Sequence, residues 1–547
     1  MHQPGRRTRE SHQVRHMPEV YTMADQVVVW LGPASENSRL ALSTLEYLGK
    51  QFEFIPQLRA PLRSPDAEMK YWWKPNCKLP YEQNTWDAIE AFLARTWFGQ
   101  LWVVQEIQLA NPQSGATVYC GHDTIPWRFL ARAIICLYYK HNIPAKLKEQ
   151  VSDSGIPVER MADMVLRKVL YRVSINKACT DDRDRIYGVL GIAPTKFANR
   201  IQPDYSHTTL PTNVYKEAFL AHAEQVQRLE LFCFCFSAPN DDNLTPSWLP
   251  KLNTTSPFRT YLGPQFAAGM SRAYFNYNKA VPNQLQVLGV RCAVVTRVTE
   301  HLSLDLNLDD SVRLVEKWKP RHNSVVYKPT GETMWTAFAH TLFEWTTKER
   351  YPKFPYQLET KLQEVLASAL SGKRPVSHEV REALSVCRGR AFFETQEGYV
   401  GLAPGDTKTG DLIAIILGCS QPLVLRPAGE QSRYRVIGEC FVYGLQDASY
   451  LLGPLPRPWN ATVHPDTGNR RKLVFSNGET GETTGNDPRL APLKGWEGID
   501  QLANGDDPEI YHFIRNKDSG EVVNFDRRIE LDVLKTNGID VVMLTLV

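Results

Sequence analysis

The sequence predicts an α/β domain, followed by an α+β region and a small β-rich module. Three observations favour this fold class. A short β-branched run, QVVVWLG at Gln26–Gly32, ends in Gly-Pro, as buried strands do. Strand-like and helix-like segments alternate through residues 1–140, which is typical of layered α/β domains. Short apolar runs separated by Gly, Pro and Asp then fill Arg390–Gly453.

The first elements follow from apolar spacing. Apolar residues recur every three or four positions in His12–Ala24, which predicts an amphipathic helix. Gln26–Gly32 is interpreted as a fully buried central strand of a parallel sheet. Ser35 is expected to cap the helix that follows, which extends to about Lys50.

The next segment, Pro56–Tyr81, is rich in Pro and aromatic residues without periodicity, and is interpreted as a loop insertion. A helix is predicted from Asn84 to Ala110, with a pause at Gly99, and a strand at Thr117–Cys120. The order of these elements predicts a mostly parallel sheet, because strands joined by helical crossovers pair in parallel.

Three further helices are predicted in the first two hundred residues. Thr124 is expected to cap the first, with Pro126 in its opening turn. The others are predicted at Val158–Val173 and Thr180–Leu190.

Beyond Pro203 the pattern becomes mixed. Helices are predicted at Pro211–Gln227 and Gly331–Lys348, and strands at Leu231–Phe236 and Gln284–Val298. The runs in Arg390–Gly453 predict a small antiparallel meander or barrel. The remainder is interpreted as a flexible excursion at Leu455–Pro492 and a segment, Arg527–Val547, that docks back. The predicted divisions are 1–140, 141–390, which is mainly helical, 391–454 and 455–547.

Composition excludes several classes of function. Lys and Arg number 63 against 60 Asp and Glu, so no basic footprint indicates a nucleic-acid partner. The chain has no signal-peptide pattern and no run of apolar residues long enough to span a membrane, which predicts an intracellular, cytoplasmic protein. Ten cysteines lack any CxxC spacing, so neither a zinc module nor a disulfide framework is expected. The Gly-rich, P-loop, nucleophile-elbow and zincin motifs are absent.

Four groups of residues resemble sites, but their settings favour structural roles. His12 and His16 lie four apart but lack a third ligand nearby, so no metal site is predicted. The acids Asp181, Asp182 and Asp184 follow Thr180 and open an apolar helix, and their charges suit its N-terminal dipole. The other two groups, each expected in the core, are Cys233 with Cys235 and the tryptophans Trp30, Trp97, Trp102 and Trp127.

Several blocks resemble the HET (heterokaryon incompatibility) domain of filamentous fungi. They are Glu10–Gly32, Arg95–Ala110 and Val118–Trp127. Segments similar to those that follow this domain occur at Asp181–Ala193, Pro246–Pro250, Gly398–Pro404 and Gly410–Pro427. The two strand blocks that usually open the domain are not found. We therefore expect either a chain that starts partway through the domain or a degenerate domain.

The resemblance implies a fold and a chemistry for this domain. HET domains have been proposed as distant relatives of TIR domains, which implies a partial TIR-like, flavodoxin-like parallel sheet. In TIR enzymes a Trp-Cys-x-x-Glu-like helix carries the catalytic glutamate, and Trp102 to Glu106 is similar in spacing. The implied roles are catalysis for Glu106 at a cleft by the carboxyl ends of the strands, and substrate binding for Trp102 and Gln105. NAD would be the substrate, and neither a cofactor nor a metal is expected.

The function implied by the resemblance is fungal allorecognition that promotes programmed cell death. The expected partner is an incompatibility protein or a second copy bound through the HET domain. Spacing alone leaves another interpretation open for Trp102 and Glu106, because core tryptophans and capping or ion-paired glutamates share the same periodicity. The alternative function is therefore a non-catalytic interaction or scaffold protein.

Overall fold

A computed structural model describes most of the chain and divides it into two compact units. The first comprises Met1–Ala218, and the second contains most of the chain from Phe219 onward. The residues described are 4–55, 60–111, 115–153, 166–175, 177–237, 245–254, 256–258, 265–344, 360–429, 432–465, 471–499 and 513–547.

The first unit combines ten helices with five strands among its described residues, the last helix continuing into the second unit. The helices are α1 (Pro4–Met23), α2 (Ser38–Gln51), α3 (Gln83–Leu93), α4 (Trp102–Leu109), α5 (Trp127–Tyr139), α6 (Ala145–Asp153), α7 (Leu166–Val169), α8 (Asp184–Tyr187), α9 (Thr195–Ala198) and α10 (Pro211–Val226). The strands are β1 (Val27–Trp30), β2 (Phe52–Ile55), β3 (Ala60–Arg63), β4 (Ala116–Cys120) and β5 (Asp123–Pro126).

The main sheet of this unit has the order β1-β4-β5. Strands β1 and β4 are parallel, as predicted, with Val27 opposite Ala116. Strand β5 is antiparallel to β4, so the expectation of a mostly parallel sheet holds for one pair only. The reason is the two-residue link between β4 and β5, which can close a hairpin but not a crossover. Thr124 accordingly lies in β5, and α5 begins after Pro126.

Strand β1 was expected to be central and fully buried, and this is wrong for the described residues. It lies at one end of the strand order, and its side chains alternate in exposure. Val29 is 1% exposed and packs in the core, whereas Val28 and Trp30 are 60% and 56% exposed. Successive side chains of a strand point to opposite faces, so only one face of β1 is covered.

Helix α2 packs closely against α5 through a glycine. A Cβ added to Gly49 would lie 2.0 Å from the carbonyl oxygen of Phe129. The predicted cap is corrected, because α2 begins at Ser38 and the hydroxyl of Ser38 accepts a hydrogen bond from the N–H of Ser35 at 3.0 Å.

Other predictions in this unit are partly correct. The helix from Asn84 to Ala110 is present as α3 and α4, separated by a short 3-10 turn at Thr96–Gly99. The predicted loop at Pro56–Tyr81 contains β3, which forms a hairpin with β2. Much of Val158–Val173 lies outside the described residues, and the helix predicted at Thr180–Leu190 is confined to α8 and a 3-10 turn.

The second unit is rich in strands. Its helices are α11 (Leu308–Lys317), α12 (Met334–Leu342), α13 (Thr360–Leu370), α14 (His378–Cys387), α15 (Ser449–Leu452) and α16 (Leu531–Thr536). Its strands are β6 (Phe275–Asn276), β7 (Leu285–Val298), β8 (Arg390–Thr395), β9 (Val400–Pro404), β10 (Leu412–Ile416), β11 (Leu423–Pro427), β12 (Arg433–Glu439), β13 (Phe441–Val442), β14 (Trp459–Pro465), β15 (Arg471–Asn477), β16 (Thr483–Thr484), β17 (Trp496–Ile499), β18 (Phe513–Asn516), β19 (Val522–Val523) and β20 (Val542–Leu546).

The long strand β7 organises the nine-stranded sheet of this unit. Strand β10 pairs with β7, and the order β10-β11-β12-β20 leads back to β7, which closes a ring of five strands. The pairs are antiparallel except that of β12 with β20. The predicted β module is present, but its sheet also recruits β7 and β20, whose partners are distant in sequence.

Two segments of the second unit differ from prediction. Leu231–Phe236, predicted as a strand, contains a 3-10 turn at Glu230–Phe234. Leu455–Pro492, interpreted as an irregular excursion, contains the paired strands β14, β15 and β16. Among the described residues, no helix is both long and apolar enough to cross a bilayer.

Candidate functional site

Helix α4 carries all three predicted site residues, and its beginning is fixed to a neighbouring segment. The N–H of Leu101 donates to the carbonyl of Ala178 at 3.0 Å, and Gln100 forms a parallel bridge with the same residue. Trp102, Gln105 and Glu106 therefore extend from a helix with a defined start.

The carboxylate of Glu106 contacts α1. It is half-buried, and the hydroxyl of Tyr21 donates a hydrogen bond to it. Burial raises the pKa of Glu106, and the hydrogen bond from Tyr21 lowers it in part. Burial is also the largest cause that raises the pKa of Tyr21. A proton is thus held on Glu106 to higher pH than on a free glutamate.

The helices that carry Tyr21 and Glu106 each lead into a strand of the parallel pair. Tyr21 lies in the last turn of α1, which leads into β1, and Glu106 lies near the end of α4, which leads into β4. That Glu106 lies at a cleft by the carboxyl ends of the strands stays a prediction. The carboxyl end of β1 is contacted by Arg95, whose Nη1 donates to Leu31 O at 2.8 Å.

Trp102 binds a different carboxylate. Its indole Nε1 donates to Asp184 Oδ2 at 3.2 Å, and the hydroxyl of Tyr205 donates to Asp184 Oδ1. Asp184 is buried, and this burial raises its pKa, while the hydrogen bonds from Tyr205 and Trp102 lower it. Trp102 and Glu106 lie on the same helix, but the indole contacts Asp184 and the carboxylate contacts Tyr21. The two side chains therefore do not form one site in this structure.

Gln105 is 1% exposed and faces the segment after α8. A Cβ at Gly191 would lie 2.9 Å from Gln105 Nε2 and 2.8 Å from Pro18. Gln105 Oε1 is buried and has no hydrogen-bond partner among the described residues. The Gln105 side chain is therefore packed beside Gly191, close to Pro18 of α1.

A hydrogen-bonded network lies beside Asp184 in sequence. The buried Arg183 makes a bidentate ion pair with Asp181, and its Nη1 donates to the carbonyls of Ser206 and Thr209 at 2.8 and 3.1 Å. Asp184 opens α8, so its charge position agrees with the helix-dipole interpretation. Its contact with Trp102 was not predicted, because it joins residues far apart in sequence.

The sequence did not predict three features of this region: the contact of Tyr21 with Glu106, the contact of Asp184 with Trp102, and the contact of Tyr205 with Asp184. The acidic run at 181–184 was a usable signal, since three acids before an apolar helix exceed what one helix dipole needs. Tyr21 and Tyr205 carried no such signal.

The other candidate ligands do not assemble into a site. The rings of His12 and His16 have centroids 4.6 Å apart and are tilted by 48° to each other, and His16 binds Glu19. Within the described part of the chain, no three His, Cys, Asp or Glu side chains cluster as metal ligands do. All ten cysteines are free thiols, and Cys233 and Cys235 are buried.

The comparisons with known proteins define the class. Residues 3–106 match the model of the family described as heterokaryon incompatibility protein (HET), and residues 332–452 match the Het-6 β-barrel domain. The second match covers strands of the closed ring. No solved structure matches the chain. The chain therefore contains one region similar to the HET family and a second region similar to the Het-6 β-barrel domain.

One relative is similar along most of both chains. It is the heterokaryon incompatibility protein 6, OR allele, of Neurospora crassa, which is 23% identical over 540 residues. The alignment covers 80% of this chain and 78% of that protein. The similarity therefore extends across both units.

Proposed function

We propose that this chain is an allorecognition protein that promotes incompatibility cell death through its HET domain. The observation that carries the proposal is the match of one region to the HET family and of another to the Het-6 β-barrel domain, together with the similarity to a protein named heterokaryon incompatibility protein 6. A partner protein or a second copy would be recognised by the HET domain.

Cell death can be tested directly in hyphae. The chain is expressed from an inducible promoter in a filamentous fungus, and uptake of a vital dye is scored against protein level. Dye uptake that rises with protein level supports the proposal. Viable, unstained hyphae at high levels of folded protein contradict it.

The catalytic form of the proposal uses Glu106. A TIR-like domain would cleave NAD, and a carboxylate would stabilise the oxocarbenium-like state that develops when the nicotinamide leaves, as in glycosidases. The half-buried position of Glu106 and its raised pKa favour this role, because catalytic carboxyls share these features. Trp102 and Gln105 would bind the substrate only if their contacts with Asp184 and Gly191 opened.

The non-catalytic form is favoured by the contacts of α4. Trp102 contacts Asp184 and Gln105 is buried, so both side chains support the fold. The outer surface of the helix would then be available to bind a partner protein. In this form the HET domain acts as an interaction or scaffold module.

Nicotinamide release separates the two forms. Purified full-length chain is incubated with NAD, and free nicotinamide is compared for the wild type, Glu106→Gln and the matched control Glu36→Gln, which changes an exposed glutamate. The catalytic form predicts release by the wild type and by Glu36→Gln, and loss of at least a hundredfold in Glu106→Gln. Equal background release from all three leaves the interaction form.

A further inference from the structure

Strand β1 has an edge to which no strand pairs among the described residues. It ends the order β1-β4-β5, with β4 on its other side. The N–H groups of Val27 and Leu31 donate to carbonyls of the segment 115–119 at 3.3 and 2.9 Å. Because backbone groups alternate in direction along a strand, those of Val28 and Trp30 point away from β4. They can therefore pair with a further strand.

The outer face of the same sheet is apolar and uncharged at this edge. Val28 and Trp30 are exposed, and Thr117 and Tyr119 lie beside them on β4. Helices α2 and α5 contact β4 and β5, and the inward side chain of Val29 is buried. Edge strands are commonly protected by charged side chains, by proline or by a bulge, and β1 has none of these. An apolar edge without such protection indicates a surface that a partner covers.

The sequence of β1 is complementary to itself in an antiparallel pair. A two-fold axis through Val29 would place Val28 of each copy opposite Trp30 of the other. An aromatic residue opposite a β-branched residue is a favourable cross-strand pair. Val28 and Trp30 are also the residues whose backbone groups point outward, so the two residues of each pair would exchange hydrogen bonds. Side-chain pairing and hydrogen bonding therefore agree on one register.

The residues that flank β1 are compatible with the same register. Asp25 of one copy would lie opposite Pro33 of the other, and Gln26 would lie opposite Gly32. No two like charges would meet, whereas like charges directly opposite each other destabilise paired strands. The positive φ of Gly32, 97°, turns the chain away and limits the pairing to Val27–Leu31. A second copy of this chain therefore fits the edge without repulsion.

We propose that β1 pairs in antiparallel orientation with β1 of a second copy and joins two chains through a two-fold interface. Val28 and Trp30 of both copies would pack together on the outer face of the combined sheet. This proposal rests on the proposed function in one respect, since it specifies the second copy as the partner that the HET domain recognises.

Sedimentation velocity of the purified full-length chain tests the proposal over a series of concentrations. The wild type is expected to form dimers that dissociate on dilution. Val28→Lys places a charge on the paired edge and should raise the dissociation constant of the dimer by about tenfold or more, since edge lysines oppose strand pairing. Val522→Lys is the matched control, because Val522 is an exposed valine on β19, which ends another sheet.

A second variant separates loss of pairing from loss of folding. Val28→Pro removes the N–H that points away from β4, so the hydrogen bonds between β1 and β4 are kept while one to the second copy is lost. This variant should also raise the dissociation constant. Circular dichroism and thermal melting establish that each variant folds.

The outcomes decide the proposal separately from the proposed function. A wild type that stays monomeric at every concentration overturns it, including the case in which a different protein covers the edge. Dimers of wild-type stability in folded Val28→Lys and Val28→Pro, or an equal weakening in Val522→Lys, also overturn it. A folded monomeric variant that still causes cell death would support the dimer and remove its part in the proposed function.

Discussion

At the scale of single residues, Lys140 shows how a buried charge can organise a loop. Its Nζ donates to the carbonyls of Trp72, Lys74 and Cys77 at 2.6, 2.8 and 2.9 Å. The side chain is buried, and this burial lowers the pKa of Lys140. One ammonium group thus satisfies three acceptors of a segment that has no regular secondary structure of its own.

Replacing Lys140 tests this role. Lys140→Met keeps the length of the side chain but leaves three carbonyls without their donor. We expect the free energy of unfolding to fall by about 2–4 kcal/mol, since buried unsatisfied acceptors cost about 1–3 kcal/mol each and some relaxation occurs. Urea unfolding measures the change. Lys146→Met, at an exposed lysine paired with Glu90, should change it little; equal losses would contradict the prediction.

Glu106 gives a pH prediction. Its pKa in the folded protein is raised, so its protonated form contributes stability that is fully present below the ordinary glutamate pKa. That contribution is lost as pH rises through the raised pKa. Wild type should therefore lose stability relative to Glu106→Gln as the pH rises above the ordinary glutamate pKa. Urea midpoints of both proteins, measured at a series of pH values from below the ordinary glutamate pKa upward, provide the measurement, and a constant or opposite difference would exclude the raised pKa.

The candidate site shows what sequence reasoning can reach at this scale. The helix that carries Trp102 and Glu106 was predicted because its apolar spacing is local. The partners Tyr21, Asp184 and Tyr205 were not, because they come from three other segments and depend on how these segments pack. The spacing of residues indicates which side chains share a face of a helix, but it does not indicate which other segments pack against that face.

At the scale of elements, the α2–α5 contact sets two effects against each other. Helix propensity alone predicts that Gly49→Ala stabilises α2 by roughly 1 kcal/mol. The added Cβ would instead meet the Phe129 carbonyl at 2.0 Å, which forces the helices apart. Overpacking of this kind costs about 1–3 kcal/mol, and backbone atoms cannot rotate away as side chains do.

We therefore expect Gly49→Ala to lower the thermal midpoint of the protein. Ser43→Ala, at an exposed position of the same helix, is the control and should leave the midpoint unchanged or raise it slightly. A higher midpoint for Gly49→Ala than for wild type would show that the two helices tolerate separation.

Strand β1 shows the limit of prediction for elements. The sequence predicts where this strand lies in the chain, because a run of β-branched residues favours a strand over a helix. It does not predict the position of the strand in the sheet, since four consecutive apolar residues are compatible with a strand buried on both faces or on one. The exposure of Val28 and Trp30 in the folded protein shows that only one face is buried.

At the scale of the whole molecule, the closed ring depends on the last strand. Strand β20 lies between β12 and β7, with Leu544 opposite Val287. Leu544 is 1% exposed and its neighbour Met543 is 45% exposed, so the two side chains have opposite environments on one strand.

This alternation gives a matched pair of substitutions. Leu544→Asp places a carboxylate in the interior and should reduce the free energy of unfolding of the second unit by on the order of 3 kcal/mol or more. Met543→Asp places the same group in solvent and should change it by less than about 1 kcal/mol. Urea unfolding of both purified variants checks this, and similar losses would contradict the strand register.

The predicted fold class agrees with the structure in its local elements and differs in its long-range pairing. Strands β8 to β12 were evident from short apolar runs between turn residues. That β7 and β20 join them was not, because pairing between distant segments leaves no periodic signal in either one. The hairpin of β14 and β15 was also missed, since its Pro, Gly and Asn content resembles that of loops.

The placement of β20 has a consequence for biosynthesis. A ribosome makes β7, at residues 285–298, long before it makes β20, at residues 542–546. Until β20 emerges, the edge of β7 that will bind it presents unpaired backbone groups next to apolar side chains, a combination that promotes aggregation. Nascent chains of this protein should therefore depend on chaperones that shield strand edges during translation.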